Sequence, residues 1–254
     1  MIDTQGKRDN RNKAIKKVGI AGIKYPITVL DKVNGTQGVN AAFNLFVDLS
    51  EHFKGTHMSR FVAILNEHRG QISTRTLRAV LKEIKERLGA SRSFIEVEFP
   101  YFIEKEAPVS REKSLMEYTC FLKGEYSEEK ADFIAGVTVP VATYCPCSKE
   151  LCGVGAHNQR TMVTVSVRYQ RFFWMEDLIS LVEGCASAPI YSLLKRPDEK
   201  FVTEQGFANP FFVEDVVRNV ALKLDEEPNF IWYSVEAKSM ESIHNHNAFA
   251  YIEA

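Results

Sequence analysis

The chain has 254 residues, with 32 basic and 33 acidic side chains, a formal net charge of -1 and 45% hydrophobic residues. This length suits two modules of ordinary size, and the hydrophobic content can fill a substantial core. The near-neutral charge argues against a general binder of nucleic acid or anionic membranes, and no apolar run approaches the roughly 20 residues of a membrane span.

The first part of the chain is predicted to contain a flexible leader and then two strands. Residues 1–30 form the leader in this prediction, because their polar, basic start lacks the apolar core of a secretory signal. Apolar residues then alternate from 39 to 49, a pattern typical of a half-buried strand. Residues 60–65 are predicted to be its partner strand, with a polar turn at 54–56 between them.

A helix and two more strands are predicted next. The helix is expected to begin at Ser73 or Thr74, either of which can cap its first turn, and to end at Gly89. Between these ends, apolar residues recur every three or four positions and form one stripe. Alternation of apolar and polar residues then predicts strands over residues 95–103 and 116–122.

The second half of the chain repeats this order of elements. The same patterns predict, in chain order, strands at 133–143 and 163–167, helices at 174–185, 189–195 and 211–224, and strands at 230–238 and 248–252. Strands, helices and strands in an order that occurs twice predict an α+β protein with antiparallel sheets and helices on one face. We therefore expect one module at residues 31–127 and a second at 128–254.

The segment 144–160 concentrates reactive side chains, with three of the five cysteines, a histidine, a glutamate and two cations. Thiolate and imidazole are ligands that borderline-soft divalent metals prefer, and two glycines let the chain fold back so that Cys145 or Cys147 faces His157. A metal centre is the leading interpretation, with Cys147 and Cys152 as ordinary buried thiols. Because no second cysteine pair exists, an open site with mixed ligands is favoured over a structural zinc. The odd, crowded cysteines also indicate a reducing cytosol.

Further carboxylates and imidazoles have two interpretations each. Glu199 lies in a polar run that is most simply a solvated loop. Glu214 opens a predicted helix, where it either meets the helix dipole or accepts hydrogen bonds from the edge of a heterocycle. Glu241, His244 and His246 lie within six residues near the end of the chain. An extended chain would put the two imidazoles on one side and the carboxylate on the other, whereas a bend would let all three converge.

Five segments of the sequence match the type IB GTP cyclohydrolases, metal-dependent enzymes of folate and pterin synthesis. The segments are 55–61 (GTHMSRF), 145–150 (CPCSKE), 155–160 (GAHNQR), 212–215 (FVED) and 241–246 (ESIHNH). The chain resembles this family from about Asp31 to its last residue. It departs from the family's pattern around 151–154, where Cys152 stands in place of a small polar residue.

The resemblance implies a GTP cyclohydrolase that converts GTP and water to 7,8-dihydroneopterin triphosphate and formate, by attack of a metal-activated water at C8 of guanine. It also implies tandem tunnelling-fold modules, whose antiparallel sheets assemble into barrels in a homotetramer with sites between subunits. GTP is then the substrate, and neither nucleic acid nor a membrane is an expected partner.

The matching positions also imply roles for individual residues. Those that resemble metal ligands are Cys145, His157 and Glu199, with zinc as the first choice of metal and manganese or ferrous iron as alternatives. Those that resemble catalytic residues are Cys145, as the essential thiolate, and Glu241, His244 and His246, as acids and bases. Glu214 resembles the anchor of the guanine edge. Charge and proximity add Lys149 and Arg160 as contacts of the triphosphate.

Three other functions are alternatives to this one. A nitrile reductase-like enzyme would use its cysteine as a covalent nucleophile, with a nicotinamide cofactor instead of a metal. A non-catalytic protein that binds pterins or purines would keep Glu214 but would not need the metal ligands. A zinc-stapled assembly protein would unfold when its metal is removed.

Overall fold

The computed structural model describes residues 5–70 and 72–254, which form nine strands and six helices. The strands are β1 (Ile15–Asp31), β2 (Gly35–Leu49), β3 (Ser93–Glu106), β4 (Lys113–Tyr126), β5 (Ala131–Tyr144), β6 (Asn158–Tyr169), β7 (Ala188–Pro189), β8 (Phe230–Ser239) and β9 (Ala248–Glu253). The helices are α1 (Met58–His68), α2 (Leu77–Leu88), α3 (Pro146–Cys152), α4 (Met175–Glu183), α5 (Arg196–Ala208) and α6 (Val213–Asp225). No helix within these described ranges is long and apolar enough to cross a membrane.

The strands pair in the order β1-β2-β3-β4-β5-β6-β8-β9, and the short β7 pairs with β5. In the antiparallel pair of β6 and β8, Thr161 lies opposite Ser239. In the antiparallel pair of β8 and β9, Ser239 lies opposite Ala248. The start of β6, the end of β8 and the start of β9 are therefore side by side in the sheet.

The prediction of tandem tunnelling-fold modules, each with its own antiparallel sheet, is wrong. We expected a boundary between residues 127 and 128, but strands from both sides of it pair in one continuous order. β4 and β5 flank that boundary. They are neighbours in the sheet, and only a short turn joins them. The polar stretch between the two strands is therefore a hairpin turn.

β1 occupies residues for which we predicted a leader. It pairs with β2 from Ile15, opposite Leu49, to Asp31, opposite Gly35. The first twelve residues of β1 include no buried side chain, so this part of the strand lacks the alternation by which a half-buried strand is recognised. The first four residues of the predicted leader lie outside the described residues.

The chain divides into two compact units whose segments alternate along the sequence. Unit 1 contains the described residues up to Pro100 together with Phe121–Ala135. Unit 2 contains Tyr101–Cys120 and Gly136–Ala254. All of the candidate site residues belong to unit 2.

In unit 1, one predicted strand is a helix and one predicted helix is confirmed. Residues 60–65 lie in α1, where Phe61, Ile64 and Leu65 are buried. This spacing of three and four is the helical one, so the prediction of a strand here is wrong. α2 ends as predicted at Gly89, which adopts the left-handed conformation with φ 63°.

In unit 2, α4 and α6 confirm two predicted helices, whereas the region between them differs. The predicted helix at 189–195 is wrong, because β7 ends at Pro189 and the next helix, α5, begins only at Arg196. Pro197 lies in the first turn of α5, a position that proline favours. The short helix α3 was not predicted.

Candidate active site

Residues from neighbouring strand ends converge in unit 2. His157 immediately precedes β6, and the loop 240–247 joins β8 to β9. The backbone N–H of Met240 donates to the carbonyl oxygen of Arg160 at 3.0 Å, so this loop begins beside the start of β6. The sheet register therefore brings Glu241 to the side of His157.

Cys145 follows β5 and caps the N-terminus of α3. Its Sγ accepts a hydrogen bond from the backbone N–H of Ser148 at 3.4 Å. The backbone N–H of Cys145 donates to the carbonyl oxygen of His157 at 3.0 Å. This main-chain link holds the two segments that carry the thiol and the imidazole next to each other.

The imidazole of His157 is held by polar groups on one side of its ring. Its Nδ1 is 3.0 Å from Oε1 of Gln159, and because an amide oxygen can only accept a hydrogen bond, this contact favours the tautomer with the proton on Nδ1. Nδ1 is also 3.9 Å from Oε2 of Glu241, and both side chains are largely buried, with 13% and 10% of their surface exposed. A proton on Nδ1 leaves Nε2 with the lone pair that binds a metal.

His244 and His246 occupy the exposed tip of the loop between β8 and β9. Their rings stack with a centroid distance of 5.3 Å and an interplanar angle of 19°. The ring of His244 meets the ring of His157 edge to face at 6.0 Å. The loop therefore bends so that Glu241 and His244 both approach His157, as the second of the two alternatives for this segment requires.

Glu214 lies in the first turn of α6 and is exposed. The backbone N–H of Phe211 donates to the carbonyl oxygen of Tyr144 at 3.1 Å, which places the start of α6 beside the residue that precedes Cys145. A carboxylate at a helix N-terminus gains from the helix dipole, so this explanation of Glu214 also fits its position.

One pocket of about 420 Å³ gathers these side chains. Its titratable lining residues are Cys145, His157, Glu214, Glu241, His244 and His246. Its apolar lining residues are Phe211, Phe212, Val213, Ala248 and Phe249. A concave site with apolar walls and a few convergent polar groups is typical of a site for a small molecule.

Three predicted site residues do not line this pocket. Glu199 is exposed near the start of α5, about 12 Å along the helix from Phe207, which contacts α3. The Nζ of Lys149 donates to the carbonyl oxygen of Phe207 at 2.6 Å. Arg160 has an exposed side chain, and its carbonyl oxygen accepts the bond from Met240.

The side chains of the pocket are of the types that bind a metal, but too few of them lie close together. A thiol, imidazoles and carboxylates are suitable ligands for a borderline divalent ion. Within the described part of this single chain, however, no three such side chains are close enough to hold one. Cys147 and Cys152 are both exposed, so the prediction that they are buried thiols is wrong.

Gln159 and the phenylalanines of the pocket were not predicted from the sequence. Gln159 lies two positions after His157 at the start of β6, and residues two apart in a strand point to the same side. That spacing is the signal that could have paired the two side chains. Phe211 and Phe212 directly precede the helix of Glu214, but nothing local tells whether two such aromatic residues face the core or a pocket.

The chain is similar over its whole length to proteins that share one description. A model of the family described as Type I GTP cyclohydrolase folE2 matches residues 1–250. A protein of Syntrophus aciditrophicus (strain SB) named GTP cyclohydrolase FolE2 is 61% identical over 253 residues, which cover 100% of this chain and 99% of that protein. A protein of Geobacter sulfurreducens with the same name is 54% identical over 253 residues, which cover 100% of this chain and 98% of that protein.

Solved structures share the fold at low sequence identity. Uricase from Arthrobacter globiformis aligns with a TM-score of 0.51 and 11% identity, covering 94% of this chain and 92% of that chain. A hyperthermostable mutant of urate oxidase from Bacillus sp. TB-90 aligns with a TM-score of 0.56 and 8% identity, covering 94% and 98%. These similarities concern the fold alone. They support a fold like that of urate oxidase and not the tandem tunnelling-fold modules that we predicted.

Proposed function

The chain belongs to the type I GTP cyclohydrolase folE2 family, and from this premise we propose how its residues carry out the reaction. As a GTP cyclohydrolase, the enzyme converts GTP and water to 7,8-dihydroneopterin triphosphate and formate. This activity sets aside a nitrile reductase and a non-catalytic binding protein. The observation that carries the proposal is the single pocket lined by Cys145, His157, Glu214, Glu241 and His244.

We assign the metal to Sγ of Cys145 and Nε2 of His157. The contact between Gln159 and Nδ1 supports this choice, because it leaves Nε2 free. A thiolate with an imidazole makes zinc the first choice, and the carboxylates nearby also suit manganese or ferrous iron. When bound, such an ion acts as a Lewis acid that activates water at neutral pH.

The third ligand is linked to the assembly of the enzyme. Glu199 is exposed and lies outside the pocket of its own chain, so we infer that it serves the site of a neighbouring subunit. This arrangement fits a homotetramer with sites between subunits. Glu241 approaches His157 on the Nδ1 side, where a carboxylate orients the imidazole. All five cysteines are free, which supports a location in the reducing cytosol.

The remaining residues of the pocket bind and protonate the substrate. The carboxylate of Glu214 accepts hydrogen bonds from N1–H and the 2-amino group of guanine, which fixes C8 over the metal side of the pocket. Phe212 and Phe249 provide apolar walls for the flat purine. His244 delivers a proton to the ring nitrogen as its bond to C8 breaks, and Glu241 and His246 serve the later proton transfers.

Turnover of GTP by a Cys145→Ala variant tests the proposal directly. We expect formate release and the fluorescence of the oxidised pterin product to fall below detection, because the metal loses its sulfur ligand. The circular dichroism spectrum should stay unchanged, since Cys145 is only partly buried. Chelation of the metal in the wild-type enzyme should abolish turnover while the oligomer remains assembled.

Cys147→Ser is the matched control for this experiment. Cys147 lies two residues further along α3 with an exposed side chain, so this variant should retain activity. Wild-type turnover in Cys145→Ala would remove the metal site proposed here. An inactive Cys147→Ser enzyme beside an active Cys145→Ala enzyme would assign the ligand to the other thiol of the pair. Unfolding upon chelation would instead support a structural metal.

A further inference from the structure

Lys149 joins the helix that begins at Cys145 to the end of α5. Its Nζ donates to the carbonyl oxygen of Phe207 at 2.6 Å and lies 3.4 Å from the carbonyl oxygen of Ala208. The same ammonium lies 4.7 Å from the centroid of the Phe207 ring. The last turn of α5 has no basic residue of its own, so Lys149 supplies the donors and the positive charge that suit a helix C-terminus.

Two further contacts join the same parts of the chain. The backbone N–H of Phe211 donates to the carbonyl oxygen of Tyr144 at 3.1 Å. Gly206 of α5 packs so closely on the Tyr144 ring that a Cβ atom at this position would overlap it. The start of α3 is therefore fastened to the end of α5, and the chain reaches Glu214 only three residues after Phe211.

We propose that Lys149 is a positioning residue, which sets the separation between the sulfur of Cys145 and the carboxylate of Glu214. The inference rests on the roles proposed above for these two residues. The backbone N–H of Lys149 donates to the carbonyl oxygen of Cys145 at 3.1 Å, so both belong to one helical turn. Because Lys149 also holds the segment that leads into α6, loss of its contacts displaces C8 of a bound guanine from the metal.

This role differs measurably from the predicted contact between Lys149 and the triphosphate. A lysine that binds the triphosphate contributes to the ground state and the transition state alike, so its loss raises KM. Loss of a positioning residue leaves substrate binding nearly intact but holds the reacting atoms in a poorer geometry, so kcat falls. The two hypotheses therefore predict changes in different constants, a higher KM for a triphosphate contact and a lower kcat for a positioning residue.

Lys149→Met tests the inference, because methionine keeps much of the side chain's packing but removes its charge and donors. We expect kcat for formate release from GTP to fall about 10- to 100-fold, with KM within about threefold of the wild-type value. The preference for binding GTP over GMP, measured by competition, should not change.

Lys149→Arg keeps the cation and its donors, so it should recover most of kcat. Lys200→Met, on the exposed surface of α5, is the matched control and should leave kcat unchanged.

Several outcomes would overturn the inference. A higher KM with unchanged kcat, or a lost preference for GTP over GMP, would support a contact between Lys149 and the triphosphate. Unchanged KM and kcat in Lys149→Met would exclude both roles. If Lys149→Met does not fold, Phe207→Leu removes the ring from the ammonium, and a loss of about two- to fivefold in kcat alone is expected. No loss in kcat for this variant would contradict the inference. Activity in Cys145→Ala would separately refute the proposed metal site.

Discussion

Two hairpin ends of unit 2 use their polar groups in opposite ways. At the end of β3–β4, the backbone N–H groups of Val109 and Ser110 donate to Oδ1 of Asp198 at 2.8 Å, and the Ser110 hydroxyl donates to Oδ2 at 2.6 Å. At the end of β8–β9, neither His244 nor His246 hydrogen-bonds through its ring to any described residue. Polar groups that satisfy one another hold the chain in place, whereas those that face a pocket are available to a substrate.

His244→Ala removes a reactive group from the β8–β9 end and should have the largest effect among the variants that test this comparison. We expect kcat to fall about 10²- to 10⁴-fold, the usual contribution of a general acid or base. Steady-state formate release measures this loss, and circular dichroism should confirm an unchanged fold, because the His244 ring is exposed.

His246→Ala is the matched variant for this measurement. The ring of His246 stacks on His244, whereas the ring of His244 is the one that meets His157. We therefore expect a smaller loss of kcat than in His244→Ala. A larger loss would make His246 the proton carrier and His244 its support.

Glu214→Gln extends the comparison to a helix end and should have the next largest effect. The side chain of Glu214 accepts no hydrogen bond from the described residues, so its carboxylate is available to the guanine edge. Loss of charged hydrogen bonds should raise KM for GTP about 10- to 100-fold. Glu227→Gln, just beyond the other end of α6, is a control that should keep the wild-type KM. An unchanged KM in Glu214→Gln would leave the carboxylate as a helix-dipole contact alone.

How well each element could be predicted depends on the length of its pattern. β2 and α6 repeat their period over more than ten residues, and both were predicted correctly. The segments 60–65 and 189–195 are each shorter than two helical turns, so a period of 2 and a period of 3.6 are hard to tell apart there. Both of those predictions were wrong. The single sheet was not predicted, because the polar stretch between β4 and β5 suits a linker between two modules as well as a hairpin turn.

The candidate site residues were predicted from the sequence, but the surroundings of some of them were not. Six of them line one pocket, since the motif residues follow strand ends that the sheet register brings together. The surroundings of Glu199 and Lys149 depend on α5, a helix in a region where we predicted a solvated loop. Without α5 there was no helix end for Lys149 to contact. We therefore predicted the triphosphate contact of Lys149 from its charge and its place in the motif alone.

Asp198→Asn tests the structural side of the comparison and should affect stability more than turnover. Asp198 is fully buried, and although burial alone would raise the pKa of its carboxyl, hydrogen bonds from Ser110, Lys195 and Val109 hold that pKa well below its usual range. An asparagine places N–H donors against some of these N–H donors, so the unfolding midpoint should drop by roughly 3 to 10 °C. Thermal denaturation measures this change, with Glu204→Gln on the exposed face of α5 as the control.

Because Asp198 does not line the pocket, its variant should lose far less kcat at 25 °C than His244→Ala. A loss as large as that of His244→Ala, without lower stability, would mean that the β3–β4 end also serves the reaction and would erase the contrast between the two hairpins.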